Sequence, residues 1–355
     1  MIEELCLFLA LLGLTAYAVL GGADFGAGFW DLTAGTAHGG ARMRGVIERS
    51  MTVVWEANHV WLIFVLVVLW TCFPPFFGSI MSSLYIPFGI AMAGIILRGT
   101  AFALRGQAAT INEARGLGAV FAISSVILPF AFGTIIGAIA SGRVQYGNAQ
   151  STDVWAVWLN PFSIYIGVLA IATCAYLAAV FLIGDSQRMG AEDMVLAFRK
   201  RALLSGAVAG MLALGGLPVA NSEAPALYDG LTSDLGLVCV IGSAIFGLIT
   251  MWLVVIGDHL QAPRFTAAAA VGAIVAGWAF AQSPYLLPGT LKYEDAAGNS
   301  TTLWWLVICV ALGLFLLVPS LWWLFKLTLS GELQPDYRAA DEGLEEPIDE
   351  VAPLP

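Results

Sequence analysis

The nine residues WEANHVWLI, positions 55 to 63, place a glutamate, an asparagine and a histidine among tryptophan and aliphatic side chains. Glu56 and His59 are three residues apart, so they share a face if the stretch is helical, whereas Asn58 points elsewhere around the axis. A carboxyl group and an imidazole in apolar surroundings are suited to passing protons near neutral pH. We therefore predict a proton-handling site here. The competing interpretation is that Glu56 pairs with Arg98 and only fixes helix packing.

Two further charged positions lie in apolar stretches. Asp24, in GGADFGAGFWDL, is either a solvated acid at a helix end or a hydrogen-bonded clamp, and the sequence favours neither. Arg98 and Arg105 are seven residues apart and hence on one helix face. Long basic side chains of this kind can extend to the membrane surface, which is the interpretation we favour for Arg105.

The elements that position these residues are predicted to be membrane helices. The chain has 355 residues, of which 59% are hydrophobic and 11% charged, against about 25% charged in soluble domains. Runs without Asp, Glu, Lys or Arg are each long enough to cross the hydrocarbon, which takes about 20 helical residues. They are 5–23, 76–97, 116–142, 154–184, 202–222, 235–257, 265–291 and 296–325, and 51–73 is interrupted only by Glu56 among these residue types. We predict an all-α polytopic membrane protein with about nine transmembrane helices in residues 1–329.

Glycine pairs at four-residue spacing predict close helix contacts within this domain, because small residues let helix backbones approach in lipid. The pairs are Gly22 and Gly26, Gly133 and Gly137, and Gly206 and Gly210. Asn160 before Pro161 predicts the first turn of the fifth helix.

The basic residues predict the orientation, because Lys and Arg concentrate in cytoplasmic loops. Of the 15 Lys and Arg residues, only Arg143 and Lys292 fall on the side that carries the amino terminus. We therefore expect an outside amino terminus and a cytoplasmic carboxyl terminus. Residues 330–355 are rich in Asp, Glu and Pro, and we expect them to form a disordered cytoplasmic tail. No basic patch suggests a nucleic-acid partner.

The metal-binding residue types are few. The three histidines are His38, His59 and His259, and only His59 lies well inside a predicted span, so ligation of a haem by two histidines of this chain is implausible. The five cysteines, Cys6, Cys72, Cys174, Cys239 and Cys309, lack metal-ligand spacing and are expected to be small buried side chains. We expect no metal site and no cofactor held by this chain alone.

Several segments together resemble subunit II of cytochrome bd-type quinol oxidases. They are GGADFGAGFWDL in the first span, WEANHVWLI in the second, the arginines that end the third, NPF at 160–162 and LLPGT before the last span. The resemblance covers nearly all of the chain before the acidic tail and includes the cyanide-insensitive variants of the family.

This resemblance implies two four-helix bundles plus one peripheral helix, in a bacterial inner-membrane heterodimer with a haem-bearing subunit I. The complex would oxidise quinol and reduce dioxygen to water, with haems b and d, or b only, in the partner. It implies proton entry at Glu56 near the subunit interface, with His59 beside it and Asp24 and Arg98 as supporting charges. It also implies a quinone contact at Trp55, lipid, and a small single-helix accessory subunit as a further partner.

The chain departs from its relatives at three positions. Many relatives have aspartate at position 56 and glutamine at position 59, and some have an ionisable residue at the position of Ala103. The proton path beyond Glu56 therefore does not carry over in detail. The alternative function is a stand-alone proton-coupled transporter, which would hold its ions near the bilayer midplane. A third interpretation is a purely structural membrane scaffold.

Overall fold

The computed structural model describes residues 1–36, 39–51, 55–105, 107, 110–147, 153–257 and 261–329. Within its helices, the side chains of residues 55–57, 111, 321, 324, 325, 328 and 329 lie outside this description. The predicted tail, residues 330–355, lies outside it as well. Contacts divide the chain into a first unit, Met1–Leu303, and a second that begins at Trp304.

The described chain is almost entirely helical. Its helices are α1 (Ile2–Leu32), α2 (Ala41–Met51), α3 (Trp55–Cys72), α4 (Pro74–Ser83), α5 (Tyr85–Arg105), α6 (Ile111–Ala140), α7 (Val154–Trp158), α8 (Pro161–Arg188), α9 (Glu192–Glu223), α10 (Pro225–Leu231), α11 (Asp234–Ile256), α12 (Ala262–Gln282), α13 (Tyr293–Ala296) and α14 (Ser300–Leu329). A two-stranded antiparallel hairpin, β1 (Tyr285–Leu287) and β2 (Leu291–Lys292), follows α12.

Eight of the described helices are long and apolar enough to cross a membrane, and α3 with α4 makes a ninth if that bent pair is one span. The predicted membrane-helix fold is therefore confirmed. Helices α1, α3, α5 and α6 form one four-helix bundle, and α8, α9, α11 and α12 form the other, joined through contacts of α1 and α6 with α8. Helix α14 belongs from Trp304 onward to the second unit.

Some predicted spans were misplaced along the chain. The third was expected at 76–97, but α4 ends at Ser83 and the long helix α5 runs from Tyr85 to Arg105. The reason is a bend of 118° between α3 and α4, where Phe73 is followed by Pro74 in the first turn of α4. A count of uncharged residues cannot detect such a bend, because the chain stays apolar through it.

Local signals explain several helix ends. The Asn160 side chain accepts a hydrogen bond from the Ser163 backbone N–H at 2.9 Å, and Pro161 occupies the first turn of α8 as predicted. Helix α11 ends at Gly257, which has a left-handed backbone with φ of 80°. The Arg199 guanidinium donates to carbonyls in the last turn of α11, that of Val254 at 2.8 Å and that of Val255 at 2.5 Å.

Two of the three glycine pairs, and one glycine of the third, mark close helix contacts as predicted. A Cβ atom on Gly26 would overlap the Cys174 carbonyl of α8. A Cβ on Gly133 would lie 2.6 Å from Cα of Gly167, and one on Gly137 would lie 2.6 Å from Cα of Ser163. In the third pair, a Cβ on Gly206 would lie 2.7 Å from Sδ of Met251 and 3.0 Å from the Tyr176 ring, whereas in the described structure nothing lies within 4 Å of a Cβ on Gly210.

We expect Gly133→Ala to lower thermal stability in detergent by about 1–3 kcal/mol, because its methyl group would force α6 away from the α8 backbone. Gly210→Ala is the matched control. It adds the same methyl group where there is room, so it should be neutral or raise stability by up to about 1 kcal/mol through better helix propensity. Equal midpoints of thermal unfolding for the two variants would contradict the close contact between α6 and α8.

Candidate functional site

Asp24 of α1 lies at the centre of a buried polar network. Its side chain is 9% exposed, and its Oδ2 accepts a hydrogen bond from Nδ2 of Asn58 in α3 at 2.7 Å. The glycines around Asp24 allow α1 to pack closely against α8 at this level. Of the two interpretations left open by the sequence, the structure shows the hydrogen-bonded clamp, because Asp24 joins α1 to α3.

Arg98 of α5 completes the network from the opposite side. It is 1% exposed, and its Nη2 donates to the main-chain oxygen of Asp24 at 3.0 Å. Its Nε donates to Oγ of Ser125 in α6 at 3.0 Å. The guanidinium lies 5.3 Å from the ring centre of Phe25 and 5.1 Å from that of Phe121. Arg98 is therefore held inside the bundle and does not extend to the surface.

His59 lies beside this network. Its ring is 6.1 Å from that of Tyr17 and 6.1 Å from that of Phe25, measured between ring centres. Three of the predicted site residues, Asp24, Arg98 and His59, are thus brought together by α1, α3 and α5. Trp55 and Glu56 belong to the first turn of α3, but their side chains lie outside the described part of the chain.

Sequence reasoning missed two members of the network, Asn58 and Ser125. Asn58 was identified only as pointing away from Glu56. Its rotation by about 200° around the helix axis is what turns it toward Asp24. Nothing in the sequence distinguished Ser125 from other serines in helices. Its Oγ donates to the Phe121 carbonyl at 2.7 Å, which is a common way for serine to be satisfied in a helix.

A second ionic cluster, centred on Asp31, lies two turns further along α1. The Arg105 Nη1 donates to Oδ2 of Asp31 at 3.1 Å, and the Arg44 Nε lies 3.3 Å from its Oδ1. Arg105 is 19% exposed, so it pairs within the protein rather than extending to the surface as expected. The signal was present in the sequence. Asp24 and Asp31 are seven residues apart, as are Arg98 and Arg105. Because α1 and α5 are in contact at Asp24 and Arg98, the same spacing brings Arg105 to Asp31 two turns away.

An apolar cavity of about 370 Å³ lies next to the Asp24 network, within the first unit. Side chains of α1, α3, α4, α6, α8 and α12 line it. Tyr17 and Phe25 form part of its wall and also contact His59. The cavity and the polar network therefore share a boundary of two aromatic rings.

We expect Asp24→Leu to destabilise the folded chain by about 3–5 kcal/mol, because it removes the acceptor of the buried Asn58 amide and a negative charge that interacts with the buried Arg98 guanidinium. Removing both charges, with Asp24→Leu and Arg98→Met, should cost less than the sum of the single losses. Thermal unfolding in detergent measures all three variants.

The control for this cycle is Asp193→Leu, which breaks an ion pair with Arg42 whose side chains are 65% and 49% exposed. It should cost under about 1 kcal/mol. Additive losses for Asp24 and Arg98 would show that the two side chains do not stabilise each other.

The chain was compared with known proteins. It matches the family model described as cytochrome bd terminal oxidase subunit II over residues 2–328. It is 26% identical to a cytochrome bd ubiquinol oxidase subunit 2 of Bacillus subtilis (strain 168), over 52% of this chain and 55% of that protein. It is 24% identical to a cytochrome bd-I ubiquinol oxidase subunit 2 of Escherichia coli (strain K12), over 48% of this chain and 45% of that protein. The matches thus span about half the length of these curated relatives.

The fold is similar to that of a solved oxidase. A chain in the structure of bd oxidase from Geobacillus thermodenitrificans superimposes with a TM-score of 0.69 at 25% identity, over 92% of this chain and 98% of that chain. The sequence resemblance is thereby confirmed along almost the entire described length. Because the family model extends from the first turn of α1 to the last turn of α14, the chain belongs to the cytochrome bd terminal oxidase subunit II family.

Proposed function

We propose that this chain is the haem-free subunit II of a bd-type quinol oxidase in a bacterial inner membrane. With a haem-bearing subunit I, it would catalyse oxidation of quinol coupled to reduction of dioxygen to water. Its family membership over residues 2–328 supports this assignment, as do the names of its ubiquinol oxidase relatives. In this proposal the haems belong to subunit I, and His59 of this chain packs against two aromatic rings.

The observation that carries the proposal is the buried network of Asp24, Asn58 and Arg98. Reduction of dioxygen consumes protons, so the complex needs a route for protons into the membrane. Glu56 lies in the first turn of α3, two residues before Asn58. The network fixes this turn of α3 against α1 and α5, and so holds the position from which a carboxyl group passes protons toward the partner. In this proposal Glu56 is the proton relay, and Asp24, Arg98 and His59 are positioning residues.

The orientation is part of the proposal. The amino terminus would face the outside, and the tail from residue 330 would be cytoplasmic and disordered, because the Lys and Arg residues lie mainly on that side. The Asp31 cluster and Glu56 would then lie in the cytoplasmic half. This is the side from which an oxidase that builds a proton gradient takes up protons.

The apolar cavity supports a further part of the proposal, which is a bound quinone or lipid chain. Its volume of about 370 Å³ and its apolar walls suit an isoprenoid or acyl chain. The family also implies a quinone contact at Trp55, which precedes the part of α3 that lines the cavity by about two helical turns. A small single-helix accessory subunit would complete the complex.

Glu56→Gln should lower oxygen consumption with quinol by about tenfold or more, because it removes a positioned proton-transfer group and nearly preserves its shape. Glu56→Asp should retain part of the activity. The control is Glu192→Gln, which removes an exposed carboxylate at the start of α9 on the proposed cytoplasmic side and should leave turnover unchanged. Unchanged turnover of Glu56→Gln in a complex with its full haem spectrum would refute the relay.

Purification from membranes separates the oxidase from the alternative transporter. The oxidase predicts a larger second chain, haem absorbance, and quinone or lipid in a solvent extract of the washed complex. A colourless chain that is folded and active in transport by itself would instead support the transporter. At present that function is not favoured, because the described buried charges gather at one end of the first bundle rather than around a central site.

A further inference from the structure

Helices α1 and α3 pack antiparallel, and Gly13 fixes their register. A Cβ on Gly13 would lie 2.6 Å from the Phe64 ring and 3.0 Å from the Val65 side chain, so these positions face each other. Seven residues are close to two helical turns. Counting seven residues from Gly13 toward Met1 reaches Cys6, and counting seven from Val65 toward the end of α3 reaches Cys72. The register therefore places the two cysteines opposite each other.

The side-chain contacts agree with this register. Both residues are 0% exposed, and the same segment, Gly298 to Leu303, contacts each of them. The segment that leads into α14 covers them. Sγ of Cys6 lies 4.0 Å from the Leu303 carbonyl oxygen, and the Cys72 carbonyl accepts from the Gly298 N–H at 2.8 Å. The pair thus lies at the end of the first bundle that holds Met1.

The compartment decides what two adjacent thiols become. In the proposed orientation, on which this inference rests, the Met1 end faces the outside. The bacterial periplasm is oxidising, and disulfides form and persist there. The buried hydrophobic role expected for these cysteines explains one thiol at a time, but it does not explain why two of only five cysteines meet at this end of the bundle.

We propose that Cys6 and Cys72 form a disulfide that joins the outer ends of α1 and α3. The oxidant is the disulfide of an exterior thiol oxidase. One cysteine thiolate attacks that disulfide and releases a thiolate of the oxidase, and the second cysteine thiolate then attacks the mixed disulfide and releases the other. The chain loses two thiol protons and two electrons, and the oxidase leaves as a dithiol.

The burial of both thiols sets the order of events. Exchange must take place before the segment from Gly298 to Leu303 covers the pair, because the folded structure leaves neither sulfur exposed. Once covered, the disulfide is protected from soluble reductants. The cross-link would preserve the α1–α3 register, and this register also brings Asn58 to Asp24.

The test maps the cysteines in cells that express the full oxidase. Whole cells are quenched in acid, and the complex is denatured and treated with a first maleimide. It is then reduced and treated with a second maleimide of different mass. We expect the first label on Cys174, Cys239 and Cys309 and the second on Cys6 and Cys72, with a Cys6–Cys72 cross-linked peptide in the unreduced digest. The first label on both Cys6 and Cys72 in the wild-type complex overturns the proposal.

Variants and the host strain sharpen the result. Cys6→Ala should move Cys72 to the first label and Cys72→Ala should move Cys6, whereas Cys174→Ala should leave the pair oxidised. A strain without its exterior thiol oxidase should give a reduced pair. A fluorescent protein fused after Pro355 reports the orientation, and oxygen consumption reports the oxidase function. A reduced pair together with a cytoplasmic reporter and normal turnover would overturn the disulfide alone.

Discussion

The structure depends on keeping one guanidinium inside an apolar bundle. A charge in the membrane interior is costly unless neighbouring groups compensate it, and Arg98 finds such groups on two other helices, α1 and α6. Its guanidinium donates hydrogen bonds to the Asp24 carbonyl and to Ser125 Oγ, and it lies near the rings of Phe25 and Phe121. Asn58 then satisfies the Asp24 carboxylate from α3. Hydrogen bonds of Arg98 and Asp24 therefore connect all four helices of the first bundle.

Much of the fold could be predicted from the sequence, because membrane helices are a simple response to an apolar solvent. Uncharged runs located most of the long helices, and the pairs at Gly22 and Gly133 located two close contacts. Composition could not predict the direction in which the chain runs from one helix to the next. The chain bends at Phe73 and Pro74 without a change in polarity, so the third helix was placed too early. In the third glycine pair only Gly206 marks a close contact, because a small residue such as Gly210 permits a close approach but does not provide a neighbour.

The site was predictable in its residue types but less so in its pairings. Asp24, His59 and Arg98 were each identified because ionisable groups are rare in such stretches, and they do meet. For Arg105 the favoured interpretation, extension to the membrane surface, was wrong, since both pairing and exposure suit a long side chain near a helix end. The carbonyl of Asp24 as the partner of Arg98 was beyond prediction, because every residue has a carbonyl and only tertiary packing selects one. The part played by Glu56 remains a proposal.

The two arginine contacts between α5 and α1 have a consequence for how the chain is made. Arg98 follows Asp24, and Arg105 follows Asp31, by 74 residues in each case. At typical rates of synthesis the ribosome takes roughly 4–15 s to add that length. Asp31 gains Arg44 of α2 early in this interval, but Asp24 has no neighbouring guanidinium until Arg98 is made. The first helix cannot settle fully in lipid until the fifth helix emerges, so membrane integration of the first bundle should proceed as a group of helices rather than one at a time.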